Sequence, residues 1–373
     1  MKRLVLLGLL LIASLGAWTQ EAAEPSTLLT GAEVLFSRHC PSAVDSLLRE
    51  GRIAVVANQT SIAYDVHLVD TLLRAGRNVC AIFCPEHGFR GEAAAGAHVK
   101  SSKDDATGLP IISLYGTNKK PTQEQLAEID VVVFDLQDVG CRFYTYLSTL
   151  HYVMEACAER GIPLVVLDRP NPNGHYVDGP VLEKGFTSFV GMHPVPIVYG
   201  MTILEYADMI NGEGWLRNGE KCLLYGVEMI GYRRDSTYDL PIPPSPNLRN
   251  SHAIALYPSL CLFEGTTIGV GRGTPYPFEV IGNKADTLDL RTAPTPARLE
   301  LRYLTTLYNR TPKGQFFLKN NFFNKLAGNS ELRHQIENHV AEADIRASWK
   351  PAIGRFLRIR QRYLRYPDIP LEP

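Results

Sequence analysis

The stretch VVVFDLQDVGCRFYTYLSTL, residues 131–150, decides the fold. Its first four residues are apolar and mostly β-branched, so they read as a strand buried on both faces. A polar run from Asp135 to Arg142 follows, and apolar spacing then continues to Arg160 before Gly161, which predicts a helix over 147–160 with glycine as its stop. Strand, polar loop and helix in that order are half of a βαβ unit. Outward from this stretch the pattern repeats. Further strands are predicted at 53–57 (IAVVA), 79–83 (VCAIF), 111–114 (IISL) and 164–167 (LVVL), and helices at 64–75 and 122–129. The expected class is α/β: a Rossmann-like, doubly wound, mostly parallel sheet with helices on both faces. Pro241, Pro243, Pro244 and Pro246 make a stiff extended segment that neither a helix nor a central strand accepts, so the domain junction is placed soon after it. The expected division is 25–254 for the Rossmann-like domain and 255–373 for a smaller α+β domain, with helices at 299–309, 331–347 and 351–363.

The 373 residues are 45% hydrophobic and 21% charged, which allows a large core and excludes disorder as the dominant state. A formal net charge of −1 removes the electrostatic case for gripping nucleic acid. Lys2 and Arg3 precede an apolar run, 4–17, that is shorter than a membrane span and ends in small residues; residues 1–19 are expected to be a signal peptide. The protein is thus expected to be exported, to the periplasm or outside the cell, with no membrane span once the signal is removed. Seven cysteines are an odd number and make no disulfide scaffold. Cys80 and Cys84, four apart in one strand, are expected on the same face as buried thiols.

In open α/β sheets ligands bind beyond the carboxyl ends of the strands. Polar clusters fall there: Asn58, Gln59 and Thr60 after the first strand, 85–91 (PEHGFRG) after the second, 135–142 (DLQDVGCR) and 168–174 (DRPNPNG) after later ones. Glu86, between Phe83, Pro85 and Phe89, suits either an acid catalyst with a pKa raised by desolvation or an ion pair with Arg90 or His87. Glu86 and His87 are poor metal ligands, because adjacent residues on extended backbone point apart and no H-x-x-H accompanies them. G-x-G-x-x-G after the first strand and G-K-[ST] are both absent, so no nucleotide cofactor is read. The run 263–279 (FEGTTIGVGRGTPYPFE) mixes glycines, aromatic rings and carboxylates, as a sugar site needs and as a glycine-rich interdomain loop would also show.

The segments VVANQTS (55–61), PEHGFRGE (85–92), 131–150 as quoted, VLDRPNPNG (166–174), VYGMTILEYA (198–207), PPSPNLR (243–249), YPSLCLFEGTTIGVGRGTPYPFEVIG (257–282), FFNKLAG (322–328) and RYLRYPD (362–368) together resemble the NamZ-type exo-β-N-acetylmuramidases, glycoside hydrolase family 171. The resemblance implies an enzyme that removes N-acetylmuramic acid from the non-reducing end of peptidoglycan-derived disaccharides or short glycan chains. It makes Glu86 the general acid. The second role is left to Asp138 or Asp135 acting through water, or to the substrate's own 2-acetamido carbonyl. Of the motif arginines Arg90, Arg142 and Arg272, one is expected to contact the lactyl carboxylate. Tyr144, Tyr146 and Tyr199 are expected against the sugar and Asn58, Gln59 and Asn247 on its hydroxyl and acetamido groups, with a place in the core as the alternative for each, and His87, Asp168 and Glu264 are expected as further binding residues. The D-R-P-N-P run at Asp168 also reads as a structural turn. A periplasmic muropeptide-binding protein without catalysis is the alternative from another class. An amidase or deacetylase on the same material is disfavoured by the lack of zinc-ligand spacing.

Overall fold

The structure, a computed structural model, describes residues 28–89, 102–283 and 286–370. In chain order it holds α1 (Gly31–Leu35), α2 (Ser42–Glu50), β1 (Ile53–Ala57), β2 (Ile62–Ala63), β3 (Val66–His67), α3 (Leu68–Arg74), β4 (Val79–Cys84), β5 (Ser102–Lys103), β6 (Pro110–Ser113), β7 (Val131–Asp135), α4 (Tyr146–Arg160), β8 (Leu164–Leu167), α5 (Ile203–Gly212), β9 (Leu224–Val227) and α6 (Ser251–Leu260). Seven strands form one sheet in the order β5-β6-β4-β1-β7-β8-β9, parallel except for the edge strand β5. The chain runs from β1 outward to β4 and β6, then returns to β7 on the other side of β1. That reversal opens a crevice at the carboxyl ends of β1 and β7.

Alternation along the strands builds two cores. Ala54, Val56, Phe83, Val132, Phe134 and Val166 face α4, α5 and the C-terminal part. Ile53, Val55, Ile82, Val131, Val133 and Val165 face α1, α2 and α3. Each fully buried Val, Ile or Phe among them contributes roughly 1.5–3 kcal/mol. A register shift between β1 and β4, Ile53 opposite Val79 but Ala54 opposite Ala81, inserts an extra residue at Cys80. The bulge places Cys80 and Cys84 against opposite cores rather than on the same face. All seven cysteines are free.

The predicted helix 64–75 begins only at Leu68, because Tyr64 and Asp65 take left-handed φ values of 50° and 65° and turn a two-residue hairpin between β2 and β3. Over 122–129 the caps form, with reciprocal Thr122–Gln125 hydrogen bonds, yet the chain makes only successive turns. Asp130 ends them: its N–H donates to the Arg52 carbonyl and its carboxylate accepts from Arg52 N–H, which starts β7.

The smaller C-terminal part carries β10 (Val280–Gly282) and β11 (Thr287–Asp289) as a hairpin, then α7 (Arg302–Arg310), α8 (Phe322–Ala327), α9 (Glu331–Glu337) and α10 (Glu342–Arg360). The two helices expected over 331–347 and 351–363 are divided differently: the break falls after α9, where His339 has φ 55°, and Pro351 sits inside α10. The boundary expected at 254/255 lies inside α6. Among the described residues no helix is long and apolar enough to cross a membrane.

Candidate active site

Beyond the carboxyl ends of the sheet lies a cleft of about 750 Å³, walled by the strand-end loops, the proline segment and the stretch 257–278. Glu86 enters it directly after β4. A turn closed by Gly88 N–H on the Pro85 carbonyl (3.1 Å) puts His87 at φ 73°, where glycine is the usual occupant. This kink swings Glu86 off the strand line. Its carboxylate accepts a hydrogen bond from Thr145 Oγ1 (2.9 Å), and Thr145 is the residue before α4, so the charge also faces the positive end of a 15-residue helix. The Tyr115 phenol bonds to the same carboxylate; burial first, then the Glu86 charge, pushes its pKa up to about 12. Phe83 and Phe89, expected to wall Glu86, instead belong to the two cores on opposite faces of the sheet.

Glu86, His87, Tyr144, Tyr146, Asn247, Glu264 and Arg272 all line this cleft. The tyrosines present their rings to it while both hydroxyls donate to the Pro244 carbonyl, at 2.9 and 3.1 Å. Gln59, off the cleft, donates its amide to the carbonyls of Pro243 and Pro244, so it fixes the proline wall rather than meeting a ligand. Arg272 donates to Glu264 from Nε (3.1 Å) and Nη2 (2.5 Å), and that carboxylate holds its pKa up against the opposing effect of burial.

Several expected site residues are structural. Asn58 is buried behind the rim, its amide donating to Tyr146 Oη and its carbonyl capping Thr60. Asp135 forms a buried pair with Arg169 (2.5 and 2.8 Å) and does not reach the cleft, which removes it as a catalytic carboxylate. Asp138 is also enclosed: Oδ2 accepts from the Tyr199 hydroxyl and from Gly140 N–H (2.6 Å), and burial raises its pKa to about 7. Neither Asp138 nor Tyr199 lines the cleft. Arg142 is 1% exposed and spends both terminal nitrogens on four carbonyls, those of Pro180, Val195, Leu326 and Ala327 at 2.7–2.8 Å. It cannot bind a substrate carboxylate; burial pushes its pKa down to about 10. Asp168 is buried and accepts from Arg169 N–H, Leu204 N–H and the Tyr366 hydroxyl, so the structural-turn reading holds there. Arg90 lies outside the described residues.

Residues 53–252 match the N-terminal domain of the exo-beta-N-acetylmuramidase NamZ, and 255–293 and 287–366 match its C-terminal domain. A peptidoglycan beta-N-acetylmuramidase NamZ from Bacillus subtilis (strain 168) is 35% identical over 402 aligned positions, covering 95% of each chain. This chain belongs to the NamZ family. Crystal structures of two DUF1343 family proteins from Bacteroides fragilis share the fold. One has a TM-score of 0.82 and 38% identity, covering 92% of this chain and all of the other. The second has a TM-score of 0.77 and 29% identity, covering 91% of this chain and 99% of its own.

Within this NamZ fold the cleft also contains residues that sequence reasoning passed over: Tyr115 and Lys119 after β6, Thr145, Phe189, Ser245 and Tyr257. The carboxyl end of β6 is a fifth strand end on the same rim, and YGTNKK (115–120) after it is the signal that would have found the first two. Phe189 sits in irregular chain and gave no signal. Glu86 and Glu264 supply the carboxylates among the described lining residues, and Glu264 is already paired. Among the described residues no group of three or more His, Cys, Asp or Glu gathers as a metal site would require. The arrangement offers one carboxyl group held by two hydroxyl donors, aromatic faces, and amide and cationic groups on the surrounding wall.

Proposed function

We propose that this protein is an exo-acting β-N-acetylmuramidase, a glycoside hydrolase that releases N-acetylmuramic acid from the non-reducing end of peptidoglycan fragments such as MurNAc-GlcNAc. The observation that carries the reading is Glu86, held in the cleft by Thr145 and Tyr115 in a chain of the NamZ family. Protonated Glu86 gives its proton to the glycosidic oxygen as the bond to the anomeric carbon breaks. With Asp135 and Asp138 enclosed and Glu264 engaged by Arg272, the substrate's 2-acetamido carbonyl oxygen attacks that carbon from the opposite face. Glu86, now a carboxylate, then takes a proton from the water that opens the cyclic intermediate, and the acid is restored. Tyr257 and Phe278 belong to the apolar wall of the cleft, which suits the sugar's C–H surface.

Export to the periplasm or the exterior agrees with a polymer that lies outside the cytoplasm and rests on the basic start and apolar run of residues 1–17. The test is Glu86→Gln against a chromogenic N-acetylmuramide and MurNAc-GlcNAc. Turnover by the wild type and its loss in the variant, with unchanged thermal melting, is the expected result. Near wild-type release by the variant refutes the assignment. Saturable binding without product in the wild type would instead establish the binding-protein alternative. Proton NMR of the turnover mixture reads the bond, the end attacked and the anomer first released, for which retention is expected.

A further inference from the structure

We infer that Lys119 is the residue that selects the lactyl carboxylate of the substrate, and therefore N-acetylmuramic acid over N-acetylglucosamine. This rests on the proposed function and deepens it. The two sugars differ only in the lactyl ether, so discrimination requires a group that rewards its carboxylate. Arg142 lies in the interior with both terminal nitrogens given to four carbonyls, and Arg272 already donates two hydrogen bonds to Glu264. Among the described residues lining the cleft, Lys119 is the cation that has no carboxylate partner. Its ammonium stands 4.7 Å above the centre of the Phe189 ring. A ring face steadies a cation without neutralising it, so the N–H donors turned away from the ring stay available to an arriving anion.

The position of that ammonium is set by α4. Asn118 Nδ2 donates to the Ser113 carbonyl (2.8 Å), which closes the loop before Lys119. On the other side Lys120 is clamped by Glu155 (2.6 Å) and Glu159 (2.7 Å), both on α4. The Phe189 carbonyl accepts from Ser148 Oγ (2.7 Å), and its ring stacks on Tyr152 at an interplanar angle of 17°, again on α4. Thr145, at the start of the same helix, holds Glu86. One helix thus fixes both the acid and the free cation, which is the preorganisation a specificity contact needs.

The experiment compares wild type, Lys119→Met, Lys119→Arg and Arg272→Met on a chromogenic N-acetylmuramide and on the same compound with its lactyl carboxylate converted to the carboxamide. Binding of free N-acetylmuramic acid and N-acetylglucosamine is measured by calorimetry alongside. A charge-assisted hydrogen bond is worth enough for a roughly ten- to hundredfold rise in KM for the carboxylate substrate in Lys119→Met, with kcat little changed. The carboxamide should be nearly indifferent, and Lys119→Arg should recover much of the preference. The inference is overturned if Lys119→Met keeps the wild-type ratio of carboxylate to carboxamide within twofold, or if Arg272→Met alone abolishes that ratio. A wild type with no muramidase turnover brings down the proposed function instead; the calorimetric preference for N-acetylmuramic acid, and its loss in Lys119→Met, then still decides the role of Lys119.

Discussion

Asp168→Asn removes a titration without removing a side chain. Asp168 is fully enclosed where β8 ends, and burial, with a smaller push from nearby Glu205, raises its pKa from 3.8 to about 7 despite hydrogen bonds from Tyr366 and Leu204. In the unfolded chain the group ionises near pH ~4. As pH climbs, the unfolded chain therefore loses its proton first, so the contribution of Asp168 to stability is whole below about pH 4 and is lost as pH approaches 7. At ~1.4 kcal/mol per tenfold change in acidity, the displacement corresponds to roughly 4 kcal/mol. Asparagine keeps the shape and one accepting oxygen. The variant should match the wild type near pH 4 and exceed it by up to about 4 kcal/mol at pH 8. Urea unfolding of both proteins at pH 4, 6 and 8 measures this, and taking the difference cancels every other titrating group. Curves that stay parallel across that range, or a variant that loses ground as pH rises, would show that the strand-end carboxyl is ionised at little cost and that this account of it is wrong.

Two further outcomes concern the frame of the cleft. Arg142→Met should destabilise the fold by roughly 3–5 kcal/mol in denaturant titration, because four buried carbonyls lose their donor together; Arg142→Lys should recover only part, since an ammonium has three donors. His193 is buried between Tyr206 (3.1 Å) and His151 (3.0 Å), and burial holds both imidazoles below their ordinary pKa. Their contribution is present above about pH 6.5 and lost as pH falls, and His193→Gln should flatten that acid-side decline by up to ~1.4 kcal/mol per pH unit in urea unfolding at pH 7, 6 and 5.

The strands were legible because continuous β-branched runs have one reading when helices cover both faces; Ile53–Ala57 and Leu164–Leu167 begin and end where the pattern does. α4 was legible from its spacing and from Gly161, which takes φ 65°. The bulge at Cys80 was hidden, since one extra residue leaves the composition of a strand unchanged while reversing its faces. At the site, position could be read but orientation could not. Asp135, Asp138, Arg142 and Asp168 occupy the rim positions expected of ligands, and each turned inward because a partner distant in sequence, Arg169, Tyr199, the carbonyl of Leu326 or Tyr366, was there to satisfy it. Lys119 went unnoticed for the converse reason: its value lies in lacking such a partner.

The helix α6 runs without interruption through the point where the sequence suggested a seam, and one continuous apolar interior extends from Phe134 on the sheet to Phe263, Phe316 and Phe323 beyond it. Cutting the polypeptide at residue 254 to obtain either lobe alone would therefore strand a greasy half-core in water.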